Sequence, residues 1–230
     1  EINGKILTVE VSPGDSLLKI LRRLGFQGVK HGCETGDCGV CAVLIDGKPF
    51  NSCVYLAAQA EGRAIRTIEA FGEHPEKGWK NTAGLHPLQQ AFIESGAVQC
   101  GYCTPAQIMA ASQLLDRNPN PTEQEVRDAL SGVLCRCTGY LKPVQAVLRA
   151  AAVLRGEAVE PVSEAPPIPT DWPPAESGYP GHGEGQSTEG PLALRTQVMP
   201  RIQTAPQVDN WQSVGKPEKK VDAVKLVQGK

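Results

Sequence analysis

The chain is poor in aromatic residues, 5% of its 230, and has no apolar run of the roughly 18 residues that a membrane-spanning helix needs. The first shortage limits the core the chain can build, and the second leaves no membrane span to expect. Strong charge of either sign is missing too. A net charge of −2 gives none of the basic excess that grips phosphate backbones, so nucleic acid is not expected as a partner. Glu1 stands where an initiator Met would, and nothing near it has the form of a signal, so a leader is expected to have been removed or left out. Finally, no cysteine is left over from the pattern that the cysteines form.

That pattern is two unlike quartets, Cys33, Cys38, Cys41 and Cys53, then Cys100, Cys103, Cys135 and Cys137. The first has the spacing C-x₄-C-x₂-C…C, the plant-type arrangement of four thiolates around a [2Fe–2S] centre. Its loop carries Gly32, Gly36 and Gly39 among the thiols. Glycine turns the backbone through positive φ and lets amide N–H groups approach sulfur, and a buried anionic cluster needs such donors. Disulfides are the alternative for any even cysteine count. Zinc is the alternative for any C-x₂-C pair, although C-x₄-C-x₂-C is not the two-plus-two zinc arrangement.

The second quartet pairs Cys100-Gly101-Tyr102-Cys103 with a distant Cys135-Arg136-Cys137. Spacing alone leaves zinc or a redox C-x₂-C open here. Thr104 at a cap position and Pro105 at the first helical position predict a helix directly behind Cys103. Helix N-termini favour anions, which suits a thiolate cluster.

Residues 1–73 read as β-rich with one helix. Asn3-Gly4 and Asp46-Gly47 are hairpin signals, and strands are expected over 5–11, 41–45 and 49–54. Behind Ser16, the stripe Leu17, Leu18, Ile20, Leu21 and Leu24 closes at Gly25 and predicts a core-facing helix. From 84 to 156 the pattern is helical, with helices expected over 86–94, 105–116, 123–130 and 143–155. Thr122 and Glu125 make a capping box, and Gly132 is the expected C-cap. Short helices of this kind can gather four cysteines at their ends, where a cluster replaces part of a core. His31 and His86 are read as non-ligands because each quartet is already full. Arg136 is expected to orient its loop, and Tyr102 and Tyr140 to pack with a hydrogen-bonding tip. After Glu157, Pro, Glu, Ser and Gly dominate, a composition that lies extended on a partner or stays disordered.

The strings Gly32-Cys33-Glu34-Thr35-Gly36-Asp37-Cys38-Gly39-Val40-Cys41, Gln99-Cys100-Gly101-Tyr102-Cys103-Thr104-Pro105 and Cys135-Arg136-Cys137-Thr138-Gly139-Tyr140 resemble the iron–sulfur component of the xanthine oxidase family of molybdenum hydroxylases. The resemblance implies an α+β chain: a β-grasp plant-type ferredoxin domain over 1–73, an all-α four-helix [2Fe–2S] domain over 74–156, and an extended linker or tail over 157–230. A β-grasp domain would start before Glu1, so some residues of its first strand are expected to be missing. By the same resemblance, Cys33, Cys38, Cys41 and Cys53 hold an outer cluster, and Cys100, Cys103, Cys135 and Cys137 an inner one. Gln99 and Cys137 match positions that lie against a molybdopterin carried by a partner. Electrons would leave molybdenum through the inner and then the outer cluster for FAD or another acceptor, with no catalytic residue on this chain.

The last residues, Ser213 to Lys230, resemble the opening of the family's molybdenum-binding subunit, which implies a fused precursor. Between the helical part and Ser213 there is too little chain for another domain of ordinary size, so any FAD would sit on a separate subunit. Reduced, metal-bound cysteines make the cytoplasm the expected location. The alternative is a free-standing ferredoxin-like carrier with no molybdenum partner, and a zinc-stabilised binding module is the third reading.

Overall fold

Asp46 (φ 49°) and Gly47 (φ 76°) both lie in the left-handed region, the turn geometry whose twist matches a two-residue hairpin. They join β1 (Ala42–Ile45) to β2 (Lys48–Asn51), with Ala42 opposite Asn51 and Ile45 opposite Lys48. β3 (Ile65–Arg66) pairs antiparallel along the other edge of β1. The computed structural model describes residues 1–72, 84–160 and 220–229. Asn3 (φ 50°) and Gly4 (φ 79°) make a second left-handed turn, but the arm behind it pairs only through Lys5 with Ile2. The strand expected over 5–11 is therefore not formed. Ile6 is 88% exposed, and an extended run gains little without a neighbouring surface to bury its side chains.

The helix behind Ser16 forms as expected: α1 (Leu17–Arg23) is capped by the Ser16 hydroxyl, which accepts from the Lys19 N–H. Leu17, Leu18, Ile20 and Leu21 are buried, whereas Leu24 sits on the C-cap and is 37% exposed. The helix stops at Gly25 (φ 95°) as expected, which leaves Leu24 on the cap and not on the buried stripe. Two amides that α1 cannot bond internally are met from outside. Leu17 N donates to Tyr55 O (2.7 Å) and Leu18 N to Ser52 O (3.0 Å), pinning the chain on either side of Cys53. Leu18 and Leu21 pack with Val43 and Ile45 of β1, and each buried aliphatic side chain contributes roughly 1.5–3 kcal/mol.

β1 is buried on both faces. Alternate residues of a strand point to opposite sides: Val43 and Ile45 join the α1 core, Leu44 joins the core of the helical half, and Ala42 packs near Val133 and Cys103. The helical half comprises α2 (Pro87–Glu94), α3 (Thr104–Arg117), α4 (Glu123–Leu130) and α5 (Leu141–Leu154). α3 is buried without a break from Thr104 to Ser112, as a helix must be when neighbours surround it; β1, β2, α2, α4 and α5 all pack against it.

The Thr122–Glu125 capping box of α4 is present. Several termini differ from expectation by a residue or two. The N-cap of α3 is Cys103 and not Thr104, with no side-chain cap bond. The C-cap of α4 is Ser131, not Gly132. α5 starts two residues early, directly after Tyr140, because Pro143 is tolerated anywhere in a first turn.

The tail from 157 onward was expected to be extended. Residues 161–219 and 230 lie outside the described residues, but 220–229 depart from that expectation. They form α6 (Ala223–Val227), with Ala223, Val224 and Val227 in the same core as α2 and α3. Apolar residues spaced three and four apart found a surface to bury against, which the polar average of the tail conceals. Among the described residues, no helix is long and apolar enough to cross a membrane.

Candidate metal centres

No disulfide joins any of the eight cysteines. The first loop folds around Cys33, whose Sγ accepts from the amides of Thr35 and Cys38, both at 3.4 Å. Gly36 (φ 87°) and Gly39 (φ 69°) supply the turns. Hydrogen bonding from Thr35, then from Cys38, holds the Cys33 thiol down to about 5. Cys41 leads into β1 and is buried, with its carbonyl taken by Ser52 Oγ (2.7 Å). Cys53 lies beside Cys41, and burial, followed by contact with Cys41, pushes its thiol up to about 11. Asn51 Nδ2 donates to Gly36 O (2.7 Å), tying the loop to the strand end before Cys53.

The second quartet is assembled from two helix starts. Cys100 and Cys103 precede α3, and Cys135 and Cys137 precede α5. Tyr102 N donates to Cys100 Sγ (3.5 Å) and Gly139 N to Cys135 Sγ (3.4 Å). The Tyr140 hydroxyl accepts from Cys135 N (3.0 Å), a role that spacing does not disclose. Burial and then the neighbouring Cys135 push the Cys103 thiol up to about 12, while hydrogen bonding from Cys100 holds Cys137 below the usual thiol range. Gln99 is exposed beside Cys100. A Cβ on Gly139 would stand 3.3 Å from Gln99 Nε2 and 3.5 Å from Cys135 Sγ, so the missing side chain makes room for Gln99.

Two thiols of the first quartet, Cys33 and Cys38, and three of the second, Cys100, Cys103 and Cys135, line one cavity of about 380 Å³, with Arg136 at its wall. Leu134 N donates to Cys38 O at 2.9 Å, and the Tyr102 hydroxyl donates to His31 O. A Cβ on Gly39 would fall 1.8 Å from Gly132 O; only glycine permits that approach. Neither histidine reaches a sulfur: His31 pairs with Glu34 (2.8 Å), and His86 caps α2, accepting from Leu88 N (3.2 Å). His86 as an N-cap escapes the sequence because histidine is not among the favoured capping residues.

The donor set suits a cationic metal core. Left as thiols, Cys53 and Cys103 resist ionising beside their neighbours, and metal is what stabilises several adjacent thiolates at once. The amides aimed at Cys33, Cys100 and Cys135 are the partners that metal-bound sulfur requires. Among the described residues, no three His, Cys, Asp or Glu side chains are grouped as for a single metal ion; a two-iron core divides its four thiolates between two metals.

Five of the eight thiols, from both halves of an α+β module, line one cavity, an arrangement that suits an iron–sulfur electron carrier. Residues 1–66 match the family described as 2Fe-2S iron-sulfur cluster binding domain, and 67–148 the [2Fe-2S] binding domain. The nicotine 6-hydroxylase small subunit of Paenarthrobacter nicotinovorans is 47% identical over 151 residues, covering 65% of this chain and 86% of that one. The xanthine dehydrogenase iron-sulfur-binding subunit of Escherichia coli O157:H7 is 49% identical over 149 residues, or 64% and 89% of the two chains. The solved aldehyde oxidoreductase of Desulfovibrio gigas aligns with a TM-score of 0.61 at 42% identity over 67% of this chain, which spans 17% of that longer one. The chain belongs to the iron–sulfur components of the xanthine oxidase family of molybdenum hydroxylases. It is an electron-transfer part of an oxidoreductase with two [2Fe–2S] clusters, and the relatives favour this over the free-standing ferredoxin and the zinc module.

Proposed function

We propose that Cys33, Cys38, Cys41 and Cys53 ligate the outer cluster and Cys100, Cys103, Cys135 and Cys137 the inner one. The chain then relays electrons from a molybdopterin-bearing large subunit or module toward FAD on a separate subunit, or another acceptor. One observation carries the reading: Cys33 and Cys38 line the same cavity as Cys100, Cys103 and Cys135, and the carbonyl of Cys38 is bonded to the amide of Leu134, next to Cys135. A [2Fe–2S] cluster, when bound, takes up and returns single electrons. The chain's own part is to fix the sulfurs. Backbone amides aimed at Cys33 Sγ, Cys100 Sγ and Cys135 Sγ stabilise negative charge there, and Val40 and Leu134 present apolar surface to the cavity, the kind of shell that sets cluster potential.

Gln99 and Cys137 are assigned to the pterin-facing side. Gln99 is exposed, and its amide can both donate and accept; Cys137 is partly exposed. The division into a β-grasp domain over 1–73 and a four-helix domain over 74–156 draws support from the sheet that holds α1 and from helices α2 to α5. Cysteines assigned to clusters, with no pair joined in a disulfide, favour the cytoplasm. Elemental analysis of the native assembly tests the whole: about four irons per chain with molybdenum present is the expected result. Iron without molybdenum in the intact assembly, or zinc in place of iron, would overturn it.

A further inference from the structure

The segment 220–229 touches both halves of the module. In the helical half, α2 and α3 pack against α6, and the buried Gln89 Nε2 donates to Val227 O at 3.1 Å. In the half with the first quartet, Lys30 Nζ donates to Gly229 O at 2.9 Å. A Cβ on Gly229, which has φ 83°, would stand 2.5 Å from Gly28 Cα. The Val227 carbonyl, which the last turn of α6 cannot satisfy itself, and the Gly229 carbonyl just past the C-cap are thus each held by a side chain from one half. Leu226 closes on Gly101, where a Cβ would lie 2.5 Å from Leu226 Cδ1. Gly101 sits between Cys100 and Cys103 with φ 84°, so the back of that loop is bare where Leu226 covers it.

We propose that 220–229 is a clasp across the seam between the halves and that Leu226 is a positioning residue for the Cys100–Cys103 loop. The proposal rests on the reading of the second quartet as a cluster site. The clasp supports the inner cluster specifically: Leu226 meets the loop of the second quartet, whereas Cys41 and Cys53 are secured by β1 and α1 without it. The full-length chain with both clusters is challenged with an iron chelator, and each cluster is followed by its EPR signal after reduction. Cys53→Ser and Cys100→Ser chains assign the two signals.

Leu226→Ala is expected to release the inner cluster about ten-fold faster, in the range that loss of an outer-shell support costs a metal site, and to shift its signal. The outer cluster keeps its rate, and Leu226→Met, which conserves volume, restores the original behaviour. Gly229→Ala, which lifts the segment without touching either quartet, should act in the same direction. Unchanged release in both Leu226→Ala and Gly229→Ala would overturn the clasp, as would equal acceleration of both clusters. A native chain that holds a single cluster would instead overturn the two-cluster reading beneath it.

Discussion

Cys33, Cys38, Cys41 and Cys53 belong to one loop and the hairpin behind it, whereas α3 and α4 separate Cys100 and Cys103 from Cys135 and Cys137. The first quartet is held by its own amides and by the start of α1. The second depends on packing from elsewhere: Gly39 against Gly132, Leu134 on Cys38, Leu226 on Gly101. A local loop can shape a thiol site before the rest of the protein is in place, but a site made of two helix starts exists only once those helices have docked.

The sharpest way to break this contrast is to remove one ligand from each side. Cys53→Ser and Cys100→Ser should each lose about half the iron, as expected for two independent four-thiolate sites, with Cys100→Ser also stopping electron flow from the molybdenum partner. Iron content and acceptor reduction are the measurements, and a chain emptied of both clusters by either change would contradict separate sites. Next in size is thiol reactivity in the reduced, metal-free chain. With Cys33 held to about 5 and Cys103 raised to about 12, Cys33 is thiolate and Cys103 protonated at neutral pH. Alkylation read by peptide mass spectrometry should reach Cys33 at least about 100-fold faster, since the thiolate is the reactive form. The rate at Cys33 itself should fall as pH drops through about 5, where Cys33 takes up its proton.

Gly39→Ala tests the joint between the quartets. The added methyl group would meet Gly132 O, and the backbone there has φ 69°, so urea unfolding should reveal a loss of about 2–4 kcal/mol. Both clusters should become labile together, in contrast to the cysteine variants. The smallest effect is expected from Tyr140→Phe, which leaves the Cys135 amide without its acceptor. A cost of about 1 kcal/mol and a shifted EPR signal from the second cluster alone would place this hydroxyl in the inner site. A shift of both signals would show that the sites are not electronically separate.

What could be read from the sequence follows the same local rule. Ser16 and its leucines, the Thr122–Glu125 box and the Asp46-Gly47 turn specify their structures within a few residues, and all formed. Residues 5–11 alternate well enough for a strand, but pairing needs a neighbour, and Ile2 alone answers through Lys5. Leu24 has the right spacing for the core and the wrong position, at the C-cap. Both quartets were legible as cysteine patterns. The Tyr140 hydroxyl on Cys135, the contact of Gly39 with Gly132 and the docking of α6 were not, because each joins residues whose proximity only the tertiary packing decides.

The double burial of β1 also bears on how the module comes apart. Val43 and Leu44 are adjacent in sequence, yet each is a keystone of a different core, so neither core can melt without stripping one face of the strand from the other. Heat should therefore take the ferredoxin-like half and the helical half through a single cooperative transition. The same strand makes the N-terminal half unsuited to life alone: cut away, it would carry an open apolar face on its central strand, a surface prone to self-association.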